Sequence, residues 1–295
     1  MKVLSNPRDA RTWCASRRQE RWRIGYVPTM GALHEGHLSL LERSVMETDR
    51  TCASIFVNPL QFNDPRDLES YPETLQSDLE MLESRGCHMT FTGTLGDFFP
   101  EADDPELIGR IDPGPCASDL EGAHRPGHLE GVATIVDRLF RTVGSCRAYF
   151  GEKDFQQTLV VRHLCGRLEQ AGILIDIIPC PTVRDAGGLA LSSRNRSLSA
   201  AQRETATIMY RALSQTRTAW RSGVRNRNRL SDIMRKHLEH PEIAIEYAAV
   251  RNPDDWNSND EEPESARGLA AIRIGGIRLI DNLSLSGEYE IEGEK

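Results

Sequence analysis

Tyr26-Val27-Pro28-Thr29-Met30-Gly31-Ala32-Leu33-His34-Glu35-Gly36-His37 is the stretch whose reading decides the fold. Arg23 to Val27 is short and mostly apolar, as a buried strand requires. After the stretch, Leu38, Leu41 and Val45 recur at helical spacing. Strand, glycine-containing turn, then helix opens a parallel α/β unit. At such a turn exposed backbone N–H groups face an incoming ligand and favour a phosphate. Gly31 and Gly36 let the backbone approach closely. His34 and His37, three apart, are expected on one face of the helix, where two imidazoles suit charge developing on phosphorus. The same spacing also suits a structural pair or half of a metal site. The metal reading needs a third ligand, and no His or Cys stands in a recognisable spacing nearby. The strand–glycine–helix context favours phosphate.

The rest of the first half repeats this alternation. A polar helix is expected over 8–20, then a helix from the turn to about Thr48 and a strand over Cys52 to Val57. Asn58-Pro59-Leu60-Gln61-Phe62-Asn63 follows as a loop at that strand's C-terminal end, where α/β ligands gather; Gln61 has no core role and is a candidate ligand contact. Leu75, Leu79 and Leu82 mark a helix stopped by Arg85-Gly86, before a strand over His88 to Thr92. Residues 93–127 read as irregular, with Leu120 to His128 bordering a cleft. A buried helix then carries Val132 to Val143. Arg147 to Phe150 opens onto Gly151-Glu152-Lys153-Asp154-Phe155-Gln156-Gln157, a second strand–turn–helix junction that carries a lysine. A helix to about Gln170 and a strand over Ile173 to Ile178 complete about five strands of a doubly wound, Rossmann-like sheet.

The texture changes at Pro179-Cys180-Pro181, so two domains are expected, 1–181 and a smaller α+β domain over 182–295. Ser199-Ala200-Ala201-Gln202 has the form of a capping box and opens one long helix to about Arg221. A helix over Leu230 to Glu239 follows. Runs over Ile243 to Val250, Leu269 to Ile274 and Ile277 to Ile280 form a small antiparallel sheet with a turn at Gly275-Gly276.

Composition bounds the function. The 295 residues carry a net charge of −8, too little basic surface for a nucleic-acid partner. The basic cluster from Arg217 to Arg229 reads as a solvated helix end. Seven cysteines, without a Cys-x-x-Cys pair, fit reduced thiols. No apolar run has the length of a signal peptide or a membrane span, so a cytoplasmic protein with no membrane partner is expected.

The His-x-Gly-His turn together with Ser192-Ser193-Arg194-Asn195 resembles the nucleotidyltransferase superfamily. More narrowly, five blocks in order resemble the pantothenate synthetase (pantoate–β-alanine ligase) family: VPTMGALHEGH, SIFVNPLQFN, EGAHRPGH, YFGEKDFQQ and LALSSRNR. The resemblance runs from Arg23 to Leu198 and resumes weakly at Arg278 to Asn282. It implies a two-step reaction, in which pantoate attacks the α-phosphate of MgATP and β-alanine then displaces AMP from pantoyl adenylate. By position it implies that Met30-Gly31-Ala32-Leu33-His34-Glu35-Gly36-His37 binds ATP, with His34 and His37 on the phosphates and His37 matching a proton donor. It places Gly151, Glu152, Lys153 and Asp154 on the nucleotide too, with Lys153 at the phosphates and Val183 on the adenine or ribose side. Leu191, Ser192, Ser193 and Arg194 match a mobile loop that closes on the phosphates. Gln61 and Gln157 match the pantoate contacts, and Gln61 also faces β-alanine. Mg2+ is implied through phosphate oxygens and water, with no protein ligands assigned. A homodimer through the first domain is implied as well.

The chain departs from the family's common pattern at Leu60 (Met), Leu129 (Phe) and Gly187, where Ala-Asp-Gly-Leu-Ala is usual. The last change removes a carboxylate and is expected to loosen the hinge into the second domain. Two other functions stand beside this one: another nucleotidyltransferase of the superfamily, and a non-catalytic nucleotide-binding regulator. A tRNA synthetase is disfavoured, because no anticodon-binding module or basic surface is evident.

Overall fold

In the computed structural model, which describes residues 1–69, 71–102 and 104–287, the chain divides into two compact units, Met1–Val183 and Arg184–Lys295. The first is a six-stranded parallel sheet of order β1-β4-β3-β2-β5-β6. Its strands are β1 (Lys2–Leu4), β2 (Ile24–Thr29), β3 (Arg50–Ile55), β4 (Met89–Phe91), β5 (Cys146–Gly151) and β6 (Ile175–Cys180). Between them run α1 (Pro7–Gln19), α2 (Glu35–Glu47), α3 (Pro65–Glu69), α4 (Leu75–Ser84), α5 (Leu95–Phe98), α6 (Glu121–His124), α7 (His128–Val143) and α8 (Phe155–Gln170). The sheet core is built from Val27, Leu41, Ala53, Ile55 and Tyr149. Nearby, the buried Tyr26 ring lies 6.2 Å from Phe91 and 6.3 Å from Phe140.

Strand order reverses between β2 and β5, which makes the C-terminal ends of these two strands the switch point where α/β sheets bind ligands. The pairing there is asymmetric. β2 pairs with β3 as far as Thr29↔Ile55, but with β5 only at Gly25↔Arg147 and Tyr26↔Ala148. Val27, Pro28 and Thr29 therefore run on without a β5 partner. A proline is tolerated in this central strand because the ladder on that side has already ended.

Three sequence expectations needed revision here. The sheet has six strands, not about five: β1 pairs in parallel with β4 over three residues, too few to show a period. Residues 93–127 contain short helical pieces, among them α5, capped by a Thr94–Asp97 capping box, and α6. The buried helix begins at His128 rather than near Val132.

The second unit packs α9 (Ala200–Ala206), α10 (Ile208–Arg221) and α11 (Arg227–Leu238) with an antiparallel sheet β7-β8-β9 (Ile243–Arg251, Arg267–Ile274, Ile277–Ser284). Leu213, Leu230, Met234, Ile272 and Leu279 form its core. Gly275 and Gly276, at φ 57° and 84°, make the tight turn between β8 and β9. The capping box at Ser199 and Gln202 is present, but the long helix is two helices. They break at Thr207, whose hydroxyl bonds the Glu204 carbonyl at 2.7 Å and whose N–H goes to the same oxygen. A β-branched residue that bonds back to its own helix in this way tightens the turn. All seven cysteines are free and all but Cys165 are buried. Among the described residues no helix is long and apolar enough to cross a membrane.

Candidate active site

After β2 the chain turns through Gly31 at φ 80° and Ala32 at φ 50°. The amides that were expected to face a phosphate already have partners. Gly31 N–H donates to Thr29 Oγ1 at 3.2 Å, and Ala32 and Leu33 N–H donate to the two carboxylate oxygens of Asp78, each at 2.9 Å. Asp78 is 1% exposed, on α4. It occupies the place where the sequence suggested an anion, and takes up the Ala32 and Leu33 amides itself. The sequence reading missed this residue, although a signal existed: Leu75, Asp78, Leu79 and Leu82 lie on one helical stripe, and an Asp there needs buried donors.

His34 is not on the helix, as the spacing had suggested, but is its N-cap, with φ −148° and ψ 172°. Its Nδ1 accepts from Gly36 N–H at 3.2 Å, so in the neutral ring Nε2 carries the proton. His37 stands in the first turn of α2, and the two rings still meet, 4.1 Å between centroids. His37 Nδ1 is buried without a hydrogen-bond partner. Burial, then the neighbouring His34, lowers its pKa to about 3; Lys153 acts in the same direction and Asp154 opposes. At neutral pH this imidazole is uncharged. The same interactions show that the turn after β5 has come to the turn after β2.

That second turn is a single 3-10 turn, Glu152–Asp154, running straight into α8 without a side-chain cap at either start. Lys153 Nζ lies 3.4 Å from Asp154 Oδ1. Gln157, one turn into α8, is half-buried.

The loop after β3 completes this edge. Asn58 Nδ2 donates to Gln61 Oε1 at 2.9 Å and to the Gly131 carbonyl at 3.1 Å. Gln61 Nε2 donates to Met30 Sδ at 3.1 Å, tying this loop to the first turn. α7 comes so close that a Cβ on Gly131 would lie 2.1 Å from the Leu60 carbonyl oxygen. The cleft-bordering block grips the same loop: His128 Nδ1 meets the Gln61 carbonyl at 2.8 Å, and Arg125 Nη1 meets His128 Nε2 at 2.8 Å. Burial and the Arg125 charge lower the His128 pKa to about 4.

Val183 is the last residue of the first unit. Leu191, Ser192, Ser193 and Arg194 belong to the second, where Ser192 caps a 3-10 turn over Ser193–Ser197 by accepting from Arg194 N–H at 3.3 Å. Several side chains bond the preceding segment. Arg184 pairs with Asp281 through two bonds of 2.5 and 2.9 Å, and stacks 4.1 Å over the Tyr210 ring. Asp185 Oδ1 accepts from both Gly187 and Leu189 N–H at 3.0 Å. A Cβ on Gly187 would lie 3.3 Å from that same oxygen. The carboxylate that binds this turn together is thus the one at 185, two residues before Gly187. Among the described residues no group of three or more His, Cys, Asp or Glu could hold a metal ion.

Comparison with known proteins matches this arrangement over nearly the whole chain. A family profile described as Pantoate-beta-alanine ligase matches residues 2–284. A pantothenate synthetase of Roseiflexus castenholzii is 43% identical over 89% of this chain and 92% of its own length. The crystal structure of pantothenate synthetase from Thermus thermophilus superposes with a TM-score of 0.87 at 38% identity, covering 97% of this chain and 100% of that one. Pantoate-beta-alanine ligase from Francisella tularensis, complexed with beta-gamma ATP and beta-alanine, gives 0.78 at 33% identity over 98% and 99% of the two chains. The chain belongs to the pantoate–β-alanine ligase family.

Proposed function

We propose that this chain joins pantoate to β-alanine in two steps, at the strand ends where the two histidines and Lys153 converge. In the first step a pantoate carboxylate oxygen forms a bond to the α-phosphorus of ATP, and the bond to the bridging oxygen breaks to release pyrophosphate. In the second the β-alanine amine attacks the acyl carbon, the acyl–oxygen bond breaks, AMP leaves and the amine proton passes to solvent or base. Carboxylates are poor acyl donors, and adenylation supplies the leaving group. The protein's work is to hold partners in line and to stabilise charge on phosphorus.

His34 Nε2–H, His37 and Lys153 take the phosphates, with Gly151 to Asp154 and Val183 along the nucleotide. Arg194 and its Leu191–Ser193 neighbours close over the phosphates. Gln61 and Gln157 hold pantoate, and Gln61 also serves β-alanine; an amide offers donors and an acceptor to a hydroxy acid. Magnesium enters as MgATP, its shell made of phosphate oxygens and water. The seven free cysteines suit a reducing compartment, which supports a cytoplasmic enzyme. A homodimer through the first unit is carried by the family resemblance alone. The observation that supports the site most strongly is His37, kept neutral by burial, with its ring 4.1 Å from that of His34 and within electrostatic reach of Lys153 and Asp154.

AMP release should need ATP, pantoate and β-alanine together, while pantoate alone should support pyrophosphate–ATP exchange. ADP as product would overturn the reading. A product that keeps the nucleotide would point to a transferase of the same superfamily.

A further inference from the structure

Asp78 is a buried carboxylate that no substrate contact explains. Its Oδ2 accepts from Ala32 N–H and its Oδ1 from Leu33 N–H, each at 2.9 Å. Thr74 Oγ1 donates to Oδ2 at 3.0 Å. Thr74 is the N-cap residue of α4, yet its side chain caps nothing there, so its hydroxyl is committed to Asp78 instead. The turn is shaped around this group. Gly31 has φ 80°, and a Cβ on it would lie 3.0 Å from Asp78 Oδ2. Ala32, at φ 50°, holds a left-handed conformation that a residue with a Cβ seldom adopts.

We propose that Asp78 is a positioning residue for adenylation. It is an internal anion that orients two successive peptide planes and so fixes His34 as the cap of α2. One oxygen on each of two adjacent amides sets both their directions, which a single contact cannot do. Leu33 is the residue before His34, so the orientation passes directly to the cap. With those amides already bonded, the triphosphate meets side-chain tips rather than backbone. The proposal rests on the assignment of His34 to the phosphates.

A double-mutant cycle on pyrophosphate–ATP exchange separates the two ideas. His34→Ala alone should slow exchange about 100-fold, as loss of a charge-stabilising donor does. Asp78→Asn keeps the shape but turns a donor toward one of the amides, and should slow exchange about 30-fold while pantoate affinity by calorimetry stays unchanged. If Asp78 acts through His34, the double variant should fall within about threefold of His34→Ala. Multiplied losses, or wild-type exchange in Asp78→Asn beside an impaired His34→Ala, would overturn the proposal. A wild-type rate in His34→Ala would overturn the phosphate assignment instead. Should Asp78→Asn fail to fold, Thr74→Val removes one partner and leaves the carboxylate. In the same cycle it should cost about fivefold alone and nothing further beside His34→Ala.

Discussion

After β2 the chain turns with the amides of Gly31, Ala32, Leu33, Gly36 and His37 all bonded inside the protein, to Thr29, Asp78 and His34. After β5 it turns through Gly151 to Asp154 with no side-chain cap. A Cβ on Gly151 would meet nothing within 4 Å. The two turns look alike in sequence, each a glycine-bearing link from strand to helix, but they contribute different things. The first is built and closed before any substrate arrives, and offers the tips of two imidazoles. The second has no side-chain cap and carries a lysine. The fold thus brings a fixed, internally bonded turn and a cation to neighbouring strand ends, the combination that the proposed stabilisation of charge on phosphorus calls for.

The largest expected effect breaks the comparison on the cation side. Lys153→Ala should slow pyrophosphate–ATP exchange by about 100- to 1,000-fold, the scale of a lost oxyanion-type contact. Its stability should barely move. One ion pair it gives up is with Asp154, whose side chain is 46% exposed against 19% for the lysine, and pairs with an exposed partner contribute little. Urea midpoints near that of wild type beside a collapsed rate would assign the lysine to the chemistry rather than to the turn. A wild-type rate would show that the lysine serves only its own turn.

How much of this was legible in the sequence follows from the range of each interaction. The strand–turn–helix junctions at Gly31–His37 and Gly151–Asp154 were readable because apolar period and glycine are local signals. The three-residue β1 was not, because its strand character exists only through pairing with β4. The break at Thr207 depends on a hydroxyl bonding the Glu204 carbonyl, which propensity alone does not announce. Position gave His34 and His37 but not their division into cap and helix residue. The Asp78 contact spans some 45 residues of chain, so its partners could not be named, even though a carboxylate on an apolar stripe was visible.

A smaller effect sharpens the comparison on the glycine side. Gly31→Ala places a Cβ at φ 80°, 3.0 Å from Asp78 Oδ2 and 3.2 Å from Ile55 Cγ2. Left-handed strain of about 1–2 kcal/mol, with displacement of Asp78 in addition, should lower stability by roughly 2 kcal/mol. Gly151 sits at φ −72° and ψ 131°, ordinary for any residue. Gly151→Ala should therefore change stability by less than about 0.5 kcal/mol. Chemical denaturation of the two variants measures the contrast. Equal losses would mean the turn after β5 is also built to a fixed shape.

The smallest effect tests a third strand end, the Gln61 loop after β3, through acid. Arg125 can only donate, so His128 Nε2 accepts from it, and Nδ1–H is left to donate to the Gln61 carbonyl. The clamp therefore needs a neutral ring. Burial and the Arg125 charge hold the folded pKa near 4, against the opposing pull of the Gln61 carbonyl, Glu121 and Asp154. An unfolded histidine titrates near 6.5, so below that pH the unfolded chain binds a proton that the native one refuses. The contribution is thus complete above pH 6.5 and is lost as pH falls toward 4. From pH 7 to 5.5 this loss comes to about 1 kcal/mol for His128, and His37 adds to the same limb. His128→Asn keeps a donor near the Gln61 carbonyl but cannot titrate. It should start less stable at pH 7 and lose about 1 kcal/mol less than wild type on the way to pH 5.5. Urea unfolding at the two pH values gives the difference directly. Parallel losses in the two proteins would mean that the ring titrates freely, and that the Gln61 loop is held as loosely as the turn after β5.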